Sequence, residues 1–237
     1  MIDKIKEINL VCSMCGLINW RLLKQKIRDS LTLFSTQQLM LETYVIDKNG
    51  KIRSHKKCKA HSYTIAWLQH MELLMNHVFQ STGAFVYCKD TAGTLQTILA
   101  NSGVNIYENT VLACAAQGSI TTYGILVGTG STAVACSDFK MQTLIANGSG
   151  AGQLNYSATT VLGATNAGST CSLAITRAVS NATASDITIN EIGLVCSTFN
   201  ASTTQCFFMI VHDLATQVLH AGDTYLVIYT MQTSISS

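Results

Sequence analysis

After about Gly83 the three- and four-residue apolar spacing of a helix fades, and the chain becomes a series of short β-branched runs separated by Gly, Asn, Ser and Thr. Such a segment can bury its apolar residues only as strands, in which alternate residues share a face. Strands are expected over 85–90, 123–128, 153–162, 171–179, 187–197, 206–213 and 224–233. Their spacing predicts an antiparallel β-sandwich. Along Ile187, Ile189, Ile192, Leu194 and Cys196 the apolar parity switches at Asn190-Glu191, which predicts a β-bulge that keeps both halves facing the core. The run from Cys206 to Val211 is apolar on both faces. It must be a strand with a layer on each side, or one covered by another subunit. Phe207, Phe208, Met209 and Ile210 are therefore candidate assembly residues.

The first half reads differently. Residues 17–34 mix apolar residues with Arg21, Lys24, Lys26 and Arg28, which predicts a helix. Over 42–60, Asn49-Gly50 lies between two β-prone runs and predicts a hairpin, since both residues tolerate positive φ. From Ser62 to Gln80, Ile65, Trp67, Leu68, Met71, Leu74, Met75, Val78 and Phe79 recur at helical steps. That pattern predicts an amphipathic helix with Ser62 as N-cap and Gly83 as stop, and with His70 and His77 on its surface. The expected organisation is a smaller α+β region over 1–110, with a basic hairpin and amphipathic helices, followed by a mainly β sandwich over 111–237.

Charge follows the same division. Residues 1–90 carry 13 Lys and Arg against 7 Asp and Glu, whereas 91–237 carry 2 against 6. Such asymmetry points to two regions with different neighbours. Only 12% of the residues are charged, about half the usual share, so much of the surface can be buried between subunits with few charges to desolvate. No run of 18 apolar residues occurs, and no spanning helix is expected. The N-terminus lacks the layout of a secretory signal. With that, the odd and irregular set Cys12, Cys15, Cys58, Cys88, Cys114, Cys136, Cys171, Cys196 and Cys206 is expected to stay reduced.

Four patterns resemble chemistry. Gly128-Thr129-Gly130 after a β-prone run fits a loose dinucleotide fingerprint, but no acidic residue lies between Asp138 and Asp186 to hold a ribose, so a glycine-permitted turn is expected. Cys12, Cys15, His55, Cys58 and His61 supply zinc-type donors. On a strand, however, residues three apart point to opposite faces, and buried thiols with exposed histidines are the expectation. Lys48, Lys51, Arg53, Lys56, Lys57 and Lys59 form a basic patch that could neutralise phosphates, be a solvated hairpin face, or meet the acidic second half of a neighbouring copy. His212-Asp213 lie on a strand and face opposite ways. No nucleophile elbow, metalloprotease helix or phosphate-binding loop occurs, so neither a catalytic residue nor a cofactor is assigned. The sequons at Asn147, Asn155, Asn181 and Asn200 are expected to be unmodified.

Three runs, Tyr123-Gly124-Ile125-Leu126-Val127-Gly128-Thr129-Gly130-Ser131-Thr132-Ala133-Val134, Gly148-Ser149-Gly150-Ala151-Gly152-Gln153-Leu154-Asn155-Tyr156 and Ile187-Thr188-Ile189-Asn190-Glu191-Ile192-Gly193-Leu194, are similar in order and spacing to a group of tailed-bacteriophage structural proteins. The piece Asn190-Glu191-Ile192-Gly193-Leu194 also resembles tail-collar and tail-fibre attachment domains. The resemblance implies a non-enzymatic virion component of tail, fibre or capsid, assembled in the bacterial cytoplasm and packed on itself and on other virion proteins. A carbohydrate- or nucleic-acid-binding β module is the alternative.

Overall fold

The computed structural model describes residues 38–60, 63–75, 85–99, 112–202 and 204–234. The expected helix over 17–34, the N-cap at Ser62 and the stop at Gly83 lie outside them. The described chain is mainly β and all its strand pairs are antiparallel. Its elements are β1 (Gln38–Ile46), β2 (Ile52–Lys59), α1 (Ile65–Met75), β3 (Phe85–Lys89), β4 (Leu95–Leu99), β5 (Gly124–Gly128), β6 (Asn155–Tyr156), β7 (Thr160–Val161), β8 (Thr165–Ala167), β9 (Thr170–Ser180), β10 (Ile187–Phe199), β11 (Gln205–Leu219) and β12 (Thr224–Ser234).

A single folded ribbon generates both main sheets. β10 and β11 form a long hairpin, from Phe199↔Gln205 near its tip to Ile187↔Leu219 at its base. Beyond a corner the same two chain directions continue as β9 and β12, from Ser180↔Thr224 to Thr170↔Ser234. The inner part builds a three-stranded sheet, β11-β10-β5, and the outer part builds a larger one, β2-β1-β12-β9-β6, with β7 and β8 also on β9. Asn181, fully buried, fixes the corner by donating to the carbonyls of Ser185 and Leu219 while its Oδ1 accepts from the Thr183 N–H. The expected bulge at Asn190-Glu191 is present as a register shift between Ile189 and Glu191, and it leaves Ile189, Ile192 and Leu194 all in the core.

The core between the sheets is shared. Leu39, Leu41, Val45, Ile175, Tyr225 and Val227 from the larger sheet meet Ile125, Val127, Ile192, Leu194, Met209 and Val211 from the smaller. A third layer covers the other side of the smaller sheet, where Ala66 and Leu73 of α1 and Val86, Cys88 and Ile98 of the β3–β4 hairpin enclose Cys206 and Phe208. This layer answers the question posed by the doubly apolar strand. Phe208, Met209 and Ile210 are buried within the protomer, and Phe207 is half-buried with its ring 6.0 Å from that of Tyr123. Those four residues are therefore not an exposed contact surface.

Three further expectations need correction. The boundary at residue 110 does not separate two packing units, because β1 pairs with β12 along all nine of its residues and completes the larger sheet. The buried face of α1 runs through Ala66, His70 and Leu73, whereas Ile65 and Leu68 are exposed. His70 is thus a core residue, bonded through Nδ1 to the Ala66 carbonyl at 2.7 Å, and burial lowers its pKa. Cys114 and Cys196 form a disulfide with Cα atoms 4.8 Å apart, against the expectation of uniformly reduced thiols. Its geometry follows from the ladder: Ala113 and Ser197 exchange both backbone hydrogen bonds, so the next pair along is a close, non-hydrogen-bonded one.

Candidate assembly surface

The Gly128–Gly130 run and His212 are tied into the packing around Glu191. Gly128 and Gly130 both have ordinary negative-side backbone conformations; what they provide is room, since a Cβ on either would collide with the Glu191 carboxylate. Glu191, entirely buried on β10, accepts from the backbone N–H groups of Gly130 (3.1 Å), Gln142 (2.9 Å) and Thr143 (2.7 Å). Its Oε2 also accepts from His212 Nε2 at 2.9 Å, and the opposite ring nitrogen donates to Asp138 at 2.7 Å. With a carboxylate at each nitrogen the imidazole is held as a cation. Burial alone would lower its pKa, but the bonds to Glu191 and Asp138 raise it. Burial likewise pushes Glu191 up, yet His212 and the three N–H groups hold it below its ordinary value. The Asp138–His212–Glu191 chain offers no nucleophile and no open coordination position, and it serves to fasten residues 129–145 to the ribbon.

Arg177 on β9 does the same for residues 117–125. It is 1% exposed and donates to the carbonyls of Ile120 (2.6 Å), Ser157 (2.8 Å) and Ile125 (2.9 Å), with its guanidinium 4.7 Å from the Tyr156 ring. Desolvation lowers its pKa to about 10, so it remains charged at neutral pH. Asp213 faces away from His212 as expected and accepts from the Tyr229 hydroxyl at 3.0 Å.

Of the zinc-type donors, the two that are described do not converge. His55 and Cys58 lie on opposite faces of β2, His55 against Tyr44 and Cys58 against Leu41, while Cys12, Cys15 and His61 lie outside the described residues. Among the described residues no group of three or more His, Cys, Asp or Glu side chains is arranged so that it could hold a metal ion. No family model, curated protein or solved structure matches the chain.

What stands out is the outward face of the larger sheet. An antiparallel sheet with one solvated face ordinarily alternates apolar-in with polar-out. Here the outward positions of β1, β12 and β9 form rows Tyr44–Leu226–Ala178, Glu42–Ile228–Thr176 and Met40–Thr230–Ala174. All of them are half-buried, and Glu42 is the one charged residue in those rows. The charges gather instead at the edge, where Lys57 and Lys59 of β2 stand beside Glu42 and Met40. Sequence reasoning did not single out Leu226 or Ile228. Their outward direction shows only once β12 is known to lie between β1 and β9.

Neither edge of this sheet invites strand addition. β2 carries Lys56, Lys57 and Lys59, and the opposite edge is made of β6, β7 and β8, none longer than three residues. Lysines and very short strands both block edge-to-edge pairing. Among the described residues no helix is long and apolar enough to cross a membrane.

Proposed function

We propose that this protein is a non-enzymatic structural subunit of a viral particle, of the tail, fibre or capsid-associated kind, and that it assembles through the outward face of its larger sheet. The observation that carries the reading is the near-absence of charge across β1, β12 and β9 on the side away from the core, with Met40, Tyr44, Leu226 and Ile228 at its centre. Three strands about 4.8 Å apart and about 30 Å long present roughly 430 Å² of sheet. Two such faces in contact would bury about 860 Å², the size of a weak contact between subunits. Blocked edges favour contact through the face. The resemblance to tailed-bacteriophage structural proteins supplies the kind of assembly.

The test is light scattering on the full chain across the micromolar range, with Leu226→Lys and Ile228→Lys as probes. The wild type should exceed the 25.5 kDa monomer, and each variant should shift it toward monomer at unchanged melting temperature. A wild type that stays monomeric throughout, alone and with particle proteins, removes the reading.

A further inference from the structure

We infer that the β2 edge is a binding site for single-stranded nucleic acid, with the basic side chains following the phosphates and the Tyr44–His55 pair offering a stacking surface for a base. The inference goes beyond the assembly reading; because Tyr44 also lies on the assembly face, it concerns protomers whose face is uncovered.

Three observations carry it. The first is placement. Lys48, Lys51, Arg53, Lys56, Lys57 and Lys59 are all exposed, and because β2 is an edge strand both of its faces reach solvent. Lys57 and Lys59 project outward beside Glu42 and Met40, whereas Lys56 lies on the inner side, where its Nζ reaches the Thr216 carbonyl at 3.2 Å. Successive outward residues are about 6.6 Å apart, and the strip from Lys51 to Lys59 extends for roughly 26 Å, long enough for several nucleotides.

The second observation is charge. The acidic groups near the strip are Glu42, Asp47, Asp213 and Asp223, so six basic side chains leave a net of two positive charges. The described residues of the second half offer few acids to the strip of a neighbouring copy. Asp138 and Glu191 are committed to His212, Asp213 is buried against Tyr229 and Asp223 is bonded to Arg53. Among the described residues of that half, this leaves Asp186, itself paired with His220. Lysines on an edge strand guard it against pairing, but the basic run extends past β2 to Lys48 and Lys51 in the turn before it.

The third is the aromatic pair. The rings of Tyr44 and His55 are stacked 4.3 Å apart and 4° from parallel, next to Lys57 on the outward face. A basic track with an aromatic surface set into it is the combination that binds single strands without sequence preference.

The experiment is fluorescence anisotropy with a fluorescein-labelled oligothymidylate of about 20 nucleotides and the full chain, between about 50 and about 200 mM NaCl. The wild type should bind saturably, with a log–log salt slope of about −2 to −3, corresponding to three or four neutralised phosphates. Lys57→Glu with Lys59→Glu should weaken binding by at least about tenfold. Tyr44→Leu should weaken it by about fivefold or more while leaving the salt slope unchanged. Circular dichroism on each variant confirms that it is folded. No saturable binding by the wild type at the lower salt overturns the inference, as does unchanged affinity in the folded double lysine variant. Tighter binding to a matched duplex, or displacement by inorganic polyphosphate together with no effect of Tyr44→Leu, overturns its assignment to single strands.

Discussion

The ribbon of β9 to β12 and the mostly irregular segment over 112–164 occupy the same sandwich but are held by different forces. In the ribbon almost every backbone group is satisfied by the neighbouring strand, and the side chains between the sheets are aliphatic or aromatic. Much of the irregular segment lacks such a partner strand. Its N–H groups at Gly130, Gln142 and Thr143 are satisfied by Glu191, and its carbonyls at Ile120 and Ile125 by Arg177. Both of these side chains belong to the ribbon. The regular region thus lends two buried charges to the irregular one, and each substitutes for a missing strand. The lesson concerns sensitivity: a ladder loses one contact at a time, whereas a charge with several backbone partners fails all at once.

The sharpest way to break this division is Glu191→Ala, which strips three N–H groups of their acceptor and leaves cationic His212 buried beside Asp138 alone. Breaking a buried pair from one side costs about 3–5 kcal/mol, readable by urea denaturation. Hydrogen exchange at Gly130, Gln142 and Thr143 should accelerate well before exchange in β9 and β12.

Ile192→Ala tests the other side of the comparison. Ile192 is fully buried in the shared core, and truncation should cost about 2–4 kcal/mol. Because the loss is one of packing, exchange should rise throughout the ribbon rather than in 129–145. Selective acceleration in that loop would mean that the two regions are not held separately.

Glycine substitutions give a smaller contrast. Gly130→Ala places a Cβ 2.6 Å from Glu191 Oε1 and should cost about 1–3 kcal/mol. Gly152 has open space around it but a φ of +73°, so Gly152→Ala should cost only about 1 kcal/mol of backbone strain. Thermal melts of the two variants rank them, and an equal or reversed order would remove the close-approach account of the Gly128–Gly130 run.

The smallest effect is that of pH. Glu191 has a lowered pKa, so its contribution is present above its ordinary 4.5 and is lost as pH falls toward the lowered value. His212 has a raised pKa, so its contribution is complete below its ordinary 6.5 and is lost as pH rises through the raised value. The pair therefore stabilises most between pH 4.5 and 6.5. Stability measured by urea midpoints in that window should exceed the values on either side, and Glu191→Gln should flatten the profile on both.

The sequence by itself determined that this chain would be antiparallel β. Alternation and turn residues placed most strands, Asn49-Gly50 placed the β1–β2 hairpin, and a parity switch placed the bulge in β10, because each of these signals resides in a few consecutive residues. The doubly apolar strand was legible as a strand needing two covers. Only the tertiary structure decided that both covers come from the same chain, that β1 completes the sheet of β12, and that Leu226 and Ile228 face outward. The same holds for the candidate residues. The basic patch was visible as a run, whereas its position on an exposed edge beside the Tyr44–His55 stack depends on pairing with β1. Glu191, His212 and Asp138, separated by 21 to 74 positions along the chain, could not be joined from local pattern. Their meeting follows from the ribbon folding on itself, an event governed by burial over the whole sandwich rather than by any short stretch of sequence.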